Sequence, residues 1–523
     1  MVGEDIEVDD VPKMRQPLEL PVSFSQPILR KFSLNSRIPS LRLTVLNERS
    51  PNREGDYVLY WMLGQRRLHS NFALQRAVEW ASELGKPLVI FEPIGCRGLW
   101  NTDRTHTFVL QGMADHFQEL QKAPVVYLPY AEPLPGAARQ VFDRLIQQAC
   151  VVVTDDFPCY IIPATTAAGA KRCPVLMETV DSNGLLPLRA TETVFARAYD
   201  FRRYLQKSLT PHLSEFPHPH PLQQKKLASC SDPLANTLRN QPGMLDEAAL
   251  SDLPKTLQSL QIDHSVGPAS FAGGRQAAGA TLQRFLNSRL SRYAEHRNDP
   301  DDEAVSGLSP YLHFGHLSAH EIFSAIAARE EWTPDKLSSK TRGQRENWWG
   351  MSPNAESYLD ELITWREVGY NFCAHRDDFD QYSSLPEWAQ ATLAEHQADP
   401  RPKLYTLEQL AASKTDDELW NAAQRQLVQE GRMHNYLRML WGKKILEWSQ
   451  TPQTACETMI ELNNRYAVDG RNPNSYSGIF WVLGRYDRAW GPERPVFGKI
   501  RYMSSDNTYR KMSLDRYLEK YGS

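Results

Sequence analysis

Residues 57–93, YVLYWMLGQRRLHSNFALQRAVEWASELGKPLVIFEP, decide the fold of the N-terminal half. YVLYWM (57–62) is a short apolar run suited to a buried strand. HSNFALQRAVEWASELG (69–85) repeats apolar residues at helical spacing and stops at a glycine, and PLVIFEP (87–93) is a second strand. The alternation continues through FVLQGMADHFQELQ (108–121), PVVYLPY (124–130), AARQVFDRLIQQA (137–149), CVVVTDD (150–156) and PVLMETV (174–180). Continuously apolar strands alternating with helices predict a doubly wound parallel sheet covered by helices on both faces. Such sheets bind ligands beyond the carboxyl ends of their strands. No GxGxxG follows the first strand and no GxxxxGKS/T occurs, so the ordinary dinucleotide and P-loop readings fail.

With 523 residues, 41% of them hydrophobic, the chain can bury large cores, and its length suggests two to four domains. It holds no apolar run of membrane-spanning length, and its acidic N-terminus lacks an apolar signal core. Seven cysteines without a CxxC pair read as thiols of a reducing compartment. The expected location is therefore cytoplasmic, with the bacterial nucleoid or a eukaryotic nucleus as variants. His218 and His220, spaced by prolines, read as loop residues, and no metal site is expected. The total charge is −4, yet residues 421–523 carry 16 Lys and Arg against 10 Asp and Glu, a net +6 that leaves −10 for the rest. That asymmetry points to an anionic partner for the C-terminal part.

Composition divides the chain into a flexible tail (1–40), the α/β domain (41–190), a linker (191–275) containing SEFPHPHPLQQKK, and a helical domain (276–523). The helical signal comes from AAGATLQRFLNSRLSRYAEH (277–296), AHEIFSAIAAREE (319–331), SYLDELITWREVGYNFCAH (357–375), DDELWNAAQRQLVQEG (416–431) and RMHNYLRMLWGKKILEW (432–448). TRGQRENWWGMSPNAE (341–356) reads as an inserted loop.

Three features of the helical half bear on chemistry. Trp441 and Trp448 sit at i and i+7, about 10 Å apart along one helix, with Trp420 on the preceding helix; spacing alone makes them core aromatics. Glu361 and Trp365, at i and i+4 in ELITW, share a helix face, where an indole partly desolvates the carboxyl and raises its pKa. FGKIRYMSSDNTYRK (497–511) interleaves cations with Tyr and Ser, which suits phosphate contact with stacking, although an exposed basic loop would look the same.

Taken in order, SGLSPYLHFGHLS (306–318), ELITWREVGYNFCAH (361–375), DELWNAAQRQLVQEGRMHNYLRMLWGKKILEW (417–448) and LNNRYAVDGRNPNSYSGIFWVLGRYDRAWGPERPVFGKIRYMS (462–504) resemble the photolyase–cryptochrome flavoproteins. The resemblance is nearest to the class II cyclobutane pyrimidine dimer photolyases and covers residues 56–523, most strongly from about 276. It implies a Rossmann-like antenna domain followed by an all-helical domain that binds FAD and DNA. It also implies light-driven splitting of pyrimidine dimers in UV-damaged DNA, by a monomer. It leaves open a second, antenna chromophore, a deazaflavin or another. The alternative is a cryptochrome-like blue-light photoreceptor without repair activity.

Residue by residue, the resemblance implies that Tyr293, Ser306, Gly307, Leu308, Ser309, Arg438, Asp469 and Asn463 bind the cofactor. It places Trp365 and Trp481 as aromatic walls around a flipped-out lesion, Met439 as its floor, and Glu361 as the carboxyl on the lesion's polar edge. Arg297 and Asn298 reach the lesion from another side, and Trp490 and Arg501 contact the lesion strand. Trp441, Trp420 and Trp448 match an electron-transfer triad running from flavin to surface. The chain departs from the family pattern at Asn435, at TWREV (364–368) and at DNTYRKM (506–512).

Overall fold

The computed structural model describes residues 36–522. The expected tail falls mostly outside them; residues 36–38, at its end, pack on the first helix, where Ser36 Oγ donates to Glu79 (2.7 Å) and Ile38 is buried. The α/β half alternates β1 (Leu43–Val45), β2 (Tyr57–Trp61), α1 (Phe72–Leu84), β3 (Leu88–Ile94), α2 (Asp103–Leu120), β4 (Val125–Ala131), α3 (Ala137–Gln148), β5 (Ala149–Asp155), α4 (Ile162–Arg172) and β6 (Met177–Val180). The strand order is β1-β6-β5-β2-β3-β4, parallel except for antiparallel β1 at the edge. Every residue of β2 to β6 is buried, as the unbroken apolar runs require of a sheet covered on both faces. Two cores result, one on each face, around Val58, Ile90 and Val151 and around Leu59, Val89 and Val152.

The segment read as a linker is itself packed. Its α5 (Ala198–Ser208) puts Phe201 and Leu205 into the helical core. Ala235 and Leu238 join one face of the sheet, while Leu250, Leu257 and Leu260 pack against α2.

The helical half is built from α6 (Gly274–Arg284), α7 (Ala319–Arg329), α8 (Pro353–Leu359), α9 (Arg366–Ala374), α10 (Glu418–Glu430), α11 (Asn435–Trp448), α12 (Pro452–Tyr466), α13 (Pro473–Val482) and shorter turns. Among the described residues, no helix is long and apolar enough to cross a membrane.

The two halves meet across a buried polar seam. The Glu367 carboxylate on α9 accepts from Leu185 N (2.7 Å) and Leu186 N (3.0 Å), and Arg366 donates to Asn183 O (2.8 Å). Arg104 on α2 reaches Tyr466 O and Val428 O, both at 2.6 Å. Gly315 (φ 71°) lets the helical backbone touch the first βα loop, where a Cβ would lie 2.6 Å from Gly64 O. Desolvation holds His106 and His434 at a pKa of about 4 and His316 at about 3, and drives His313 and His320 lower as well.

Below about pH 6.5 the unfolded chain protonates these histidines, whereas the folded chain resists until about pH 4. Stability therefore rises with pH across that window. Glu367, raised to about 7 by burial, opposes the rise, as do Asp155 and Glu361, which burial also raises. Denaturation midpoints recorded from pH 4.5 to 6.5 should climb, and His316→Gln should make the climb shallower.

Candidate functional site

Glu361 and Trp365 lie on a π-helical turn, Asp360–Trp365, between α8 and α9. The expected α-helical pairing of these residues gives way to a wider turn, of the kind that often marks functional positions in helices. Three contacts hold it. Asp360 takes a bidentate bond from Arg202 of α5 (2.7 and 2.9 Å), and Arg366 and Glu367 fix the next turn to the seam.

Glu361 pairs with Arg297, and both side chains are about a quarter open to solvent, at 28% and 26%. Burial raises the Glu361 carboxyl above its ordinary range, and the Arg297 charge pulls it back only in part. Arg297 also lies over the Tyr293 ring, 5.8 Å from its centroid. Asn298 is exposed beside this pair.

Trp365 and Trp481 stack on one another, with centroids 4.5 Å apart and planes inclined by 20°. They form one half-buried aromatic wall rather than two faces across a gap, because offset stacking is worth about 0.5–1.5 kcal/mol beyond the buried area. Trp481 is the penultimate residue of α13, whose last carbonyl, Val482 O, accepts from the buried ammonium of Lys443. Desolvation lowers that ammonium to about 7, with Asp487 opposing the drop and Arg501 adding to it.

A second cluster converges from four elements. Arg438 on α11 donates to Asn463 Oδ1 on α12 (2.9 Å) and lies 3.8 Å from Asp469. Ser309, opening a short helix after the Ser306–Gly307 loop, donates to the other Asp469 oxygen. Asp469 Oδ1 is buried without a hydrogen-bond partner. Gly307 has φ 71°, and a Cβ there would meet only Thr281, at 3.6 Å, so the loop keeps open space beside it. Leu308 points into the core, and Met439 is half-buried next to Arg438. Helix α13 joins the two clusters, since Asp469 lies in the loop at its start and Trp481 at its end.

The tryptophans of α10 and α11 form a tied series. Trp420 Nε1 donates to Trp441 O (3.0 Å), Trp441 Nε1 donates to Gln424 Oε1 (2.8 Å), and the rings of Trp420 and Trp448 meet edge-on at 5.5 Å. All three are buried, so Trp448 does not reach solvent. Half-buried Tyr405, 5.1 Å from Trp448, covers it instead.

Trp490 and Arg501 line a cavity of about 330 Å³ with Tyr436, Arg494, Tyr502 and Lys511. Trp490 is exposed and carries two guanidinium groups over its ring, Arg488 at 4.9 Å and Arg501 at 5.5 Å. Sequence reasoning missed Arg494 and Tyr436. The interleaved cations of residues 497–511 were the available signal, but the hairpin that folds Arg494 back to Gly498 was not legible. Such a pocket suits a phosphodiester flanked by a base.

No family model matches the chain. It is 34% identical over 487 residues to the deoxyribodipyrimidine photo-lyase of Methanothermobacter thermautotrophicus, covering 92% of this chain and 97% of that one. The Arabidopsis thaliana protein of that name is 33% identical over 88% of each chain, and the Potorous tridactylus protein 32% over 88% and 80%. Among solved structures, a class III photolyase from Agrobacterium tumefaciens superposes with TM-score 0.60 at 19% identity, over 89% of this chain and 86% of its own. A Synechocystis cryptochrome gives TM-score 0.62 at 16% identity, over 89% and 88%, so both share the fold.

Replacing Arg297 by Leu removes the cation that holds the Glu361 carboxyl down, so the Glu361 pKa should move further up. Difference infrared titration should show the protonated-carboxyl band persisting to higher pH than in the unaltered protein. The band should vanish in Glu361→Gln.

Proposed function

The chain belongs to the deoxyribodipyrimidine photo-lyase family, and from that membership we infer that it splits cyclobutane pyrimidine dimers in DNA under light, with FAD as its cofactor. The observation that carries the reading is the Arg297–Glu361 pair set beside the Trp365–Trp481 wall. A photoreceptor that does no repair has no use for a partly desolvated carboxyl beside a base-sized aromatic face.

The residues present fit FAD. Asp469 Oδ1 is a buried acceptor still lacking a donor, and the Gly307 loop leaves room beside it. Arg438, Asp469, Asn463, Tyr293 and the loop of Ser306, Gly307, Leu308 and Ser309 would hold the group, with Arg438 favouring negative charge on it. When bound and reduced, FAD supplies a photoexcited electron donor. Trp441, Trp420 and Trp448 provide an indole path by which that donor is kept reduced.

On the lesion side, extruding the dimer costs a few kcal/mol, and stacking on the Trp365–Trp481 wall offsets about 1–3 kcal/mol per base. Glu361 binds the lesion's polar edge. With its pKa raised it both accepts and donates hydrogen bonds, and so stabilises charge developing on a pyrimidine carbonyl. Arg297 holds Glu361 in place and adds a positive field, with Asn298 beside it and Met439 below. Trp490 and Arg501 grip the strand that carries the lesion.

Purified protein should carry FAD and clear thymine dimers from an oligonucleotide under blue or near-UV light but not in darkness. Flavin-loaded, reduced protein that leaves dimers intact under light would overturn the reading. Trp441→Phe should slow photoreduction of oxidised protein while chemically reduced protein repairs normally; equal loss of both activities would remove the relay. Arg501→Ala should make the salt dependence of DNA binding shallower by about one unit of slope, measured by titration from low to high salt.

A further inference from the structure

The segment 333–352, which takes in most of the stretch 341–356 read as an inserted loop, is pinned rather than loose. Trp348 and Trp349 are buried, and Trp332 Nε1 donates to Trp349 O (2.5 Å). The Glu356 carboxylate accepts from Gly350 N (2.9 Å) and Met351 N (3.2 Å). At the tip, Gln206 of α5 donates to Gln344 O (2.8 Å) and accepts from Gly343 N (2.7 Å). Gly343 and Gly350 have φ of 79° and 69°, and a Cβ at Gly350 would lie 2.5 Å from Lys336 O, so the path of the loop is closely specified.

This fixed loop displays Lys340, Arg342 and Arg345 to solvent, and none of them pairs with a carboxylate among the described residues. Arg203 and Lys207, exposed at i and i+4 on α5, extend the cationic face. The face adjoins the lesion mouth. Arg202 and Gln206 stand one turn apart on α5, about 6 Å along the axis; the first holds Asp360, neighbour of Glu361, and the second holds Gln344. Like charges on a mobile loop would spread apart. Held on one fixed loop, and outnumbering the exposed Glu346 beside them, they form a preset site for an anion.

We propose that the loop around Lys340, Arg342 and Arg345 is a second DNA-binding rim, separate from the Trp490–Arg501 pocket, which grips backbone phosphates flanking the lesion. The proposal rests on the reading of the chain as a DNA lyase. It assigns these cations to sequence-independent contact: they carry no aromatic platform of their own and read charge, not bases.

The test is equilibrium binding of a dimer-containing duplex as a function of salt, comparing the unaltered protein with a variant combining Lys340→Ser, Arg342→Ser and Arg345→Ser. The variant should have a salt slope shallower by about one to three units and weaker binding at low salt. A dimer-containing trinucleotide, too short to reach the rim, should bind Lys340→Ser/Arg342→Ser as it binds the unaltered protein. An unchanged duplex slope overturns the rim, and an acidic protein partner in place of DNA would give that same result. Should the triple variant unfold, judged by its thermal midpoint, the double variant is read in its place, with a loss of one to two units expected and no loss overturning the rim. Repair under light by the unaltered protein is scored separately, so failure of the enzymatic reading shows there and failure of the rim shows only in the slope.

Discussion

The Glu367 carboxylate and its two backbone donors at Leu185 and Leu186 set the register on which the lesion side of the site depends. One stretch of chain, from Asp360 to Glu367, does two jobs. Its first six residues present Glu361 and Trp365 to the mouth, and its last two are bound to the backbone that leaves β6. A slip of one residue would turn Glu361 into the core and leave a buried carboxylate without donors, a penalty of several kcal/mol. Gly184 belongs to the same constraint, because a Cβ there would meet Glu367 Oε1 at 2.6 Å. The α/β half therefore acts as the anchor that aims the helical segment carrying Glu361 and Trp365.

Burial has opposite consequences at the two carboxylates of that stretch. Glu367 is fully enclosed, and its acidity is weakened to about 7 although two amides and Arg366 favour the ion. Glu361 has a solvent-facing edge, one cation and a neighbouring carboxylate, Asp360, which Arg202 neutralises. The first carboxyl is structural and satisfied; the second keeps hydrogen-bonding capacity in reserve. The same contrast separates Lys443, whose ammonium ends α13, from the exposed cations that meet solvent. Reserve capacity at Glu361 and at Asp469 Oδ1 is that of carboxylates able to accept a further donor.

The strands of the α/β half were legible because an all-apolar run of five to seven residues between helical repeats has few other homes. Three features of the helical half were not. ELITW carries no mark that distinguishes a π-helical turn from an α-helical one; the widening comes from tertiary ties at Arg202, Arg366 and Glu367. The stacking of Trp365 on Trp481 joins residues from distant parts of the sequence, and spacing says nothing about such pairs. The burial of Trp448 depends on Tyr405, which lies in a stretch with no periodic signal at all. The stretch 341–356 read as an inserted loop, and its paired tryptophans, both buried, are what anchors it.

A chain with net charge −4 reads as a poor candidate for DNA binding on composition alone, but net charge is a weak guide to local potential. Fields in solution are local: beyond about 8–10 Å at physiological salt, exposed charges no longer sum. The acidic excess is spread over the rest of the molecule, and much of it is neutralised in place, as at Asp181 with Arg42 or Glu178 with Arg76. The cations near the mouth are not neutralised. Arg501 and Arg488 sit over an indole, and Lys340, Arg342 and Arg345 are fixed by a loop whose own hydrogen bonds are to neutral groups or to Glu330 and Glu356. Under the proposed rim, a phosphate chain arriving at that face would meet cations that outnumber the loop's own Glu346, while the remote carboxylates lie too far away to cancel them. Rigidity sharpens the effect, because cations held in place before contact lose little conformational entropy when the anion arrives.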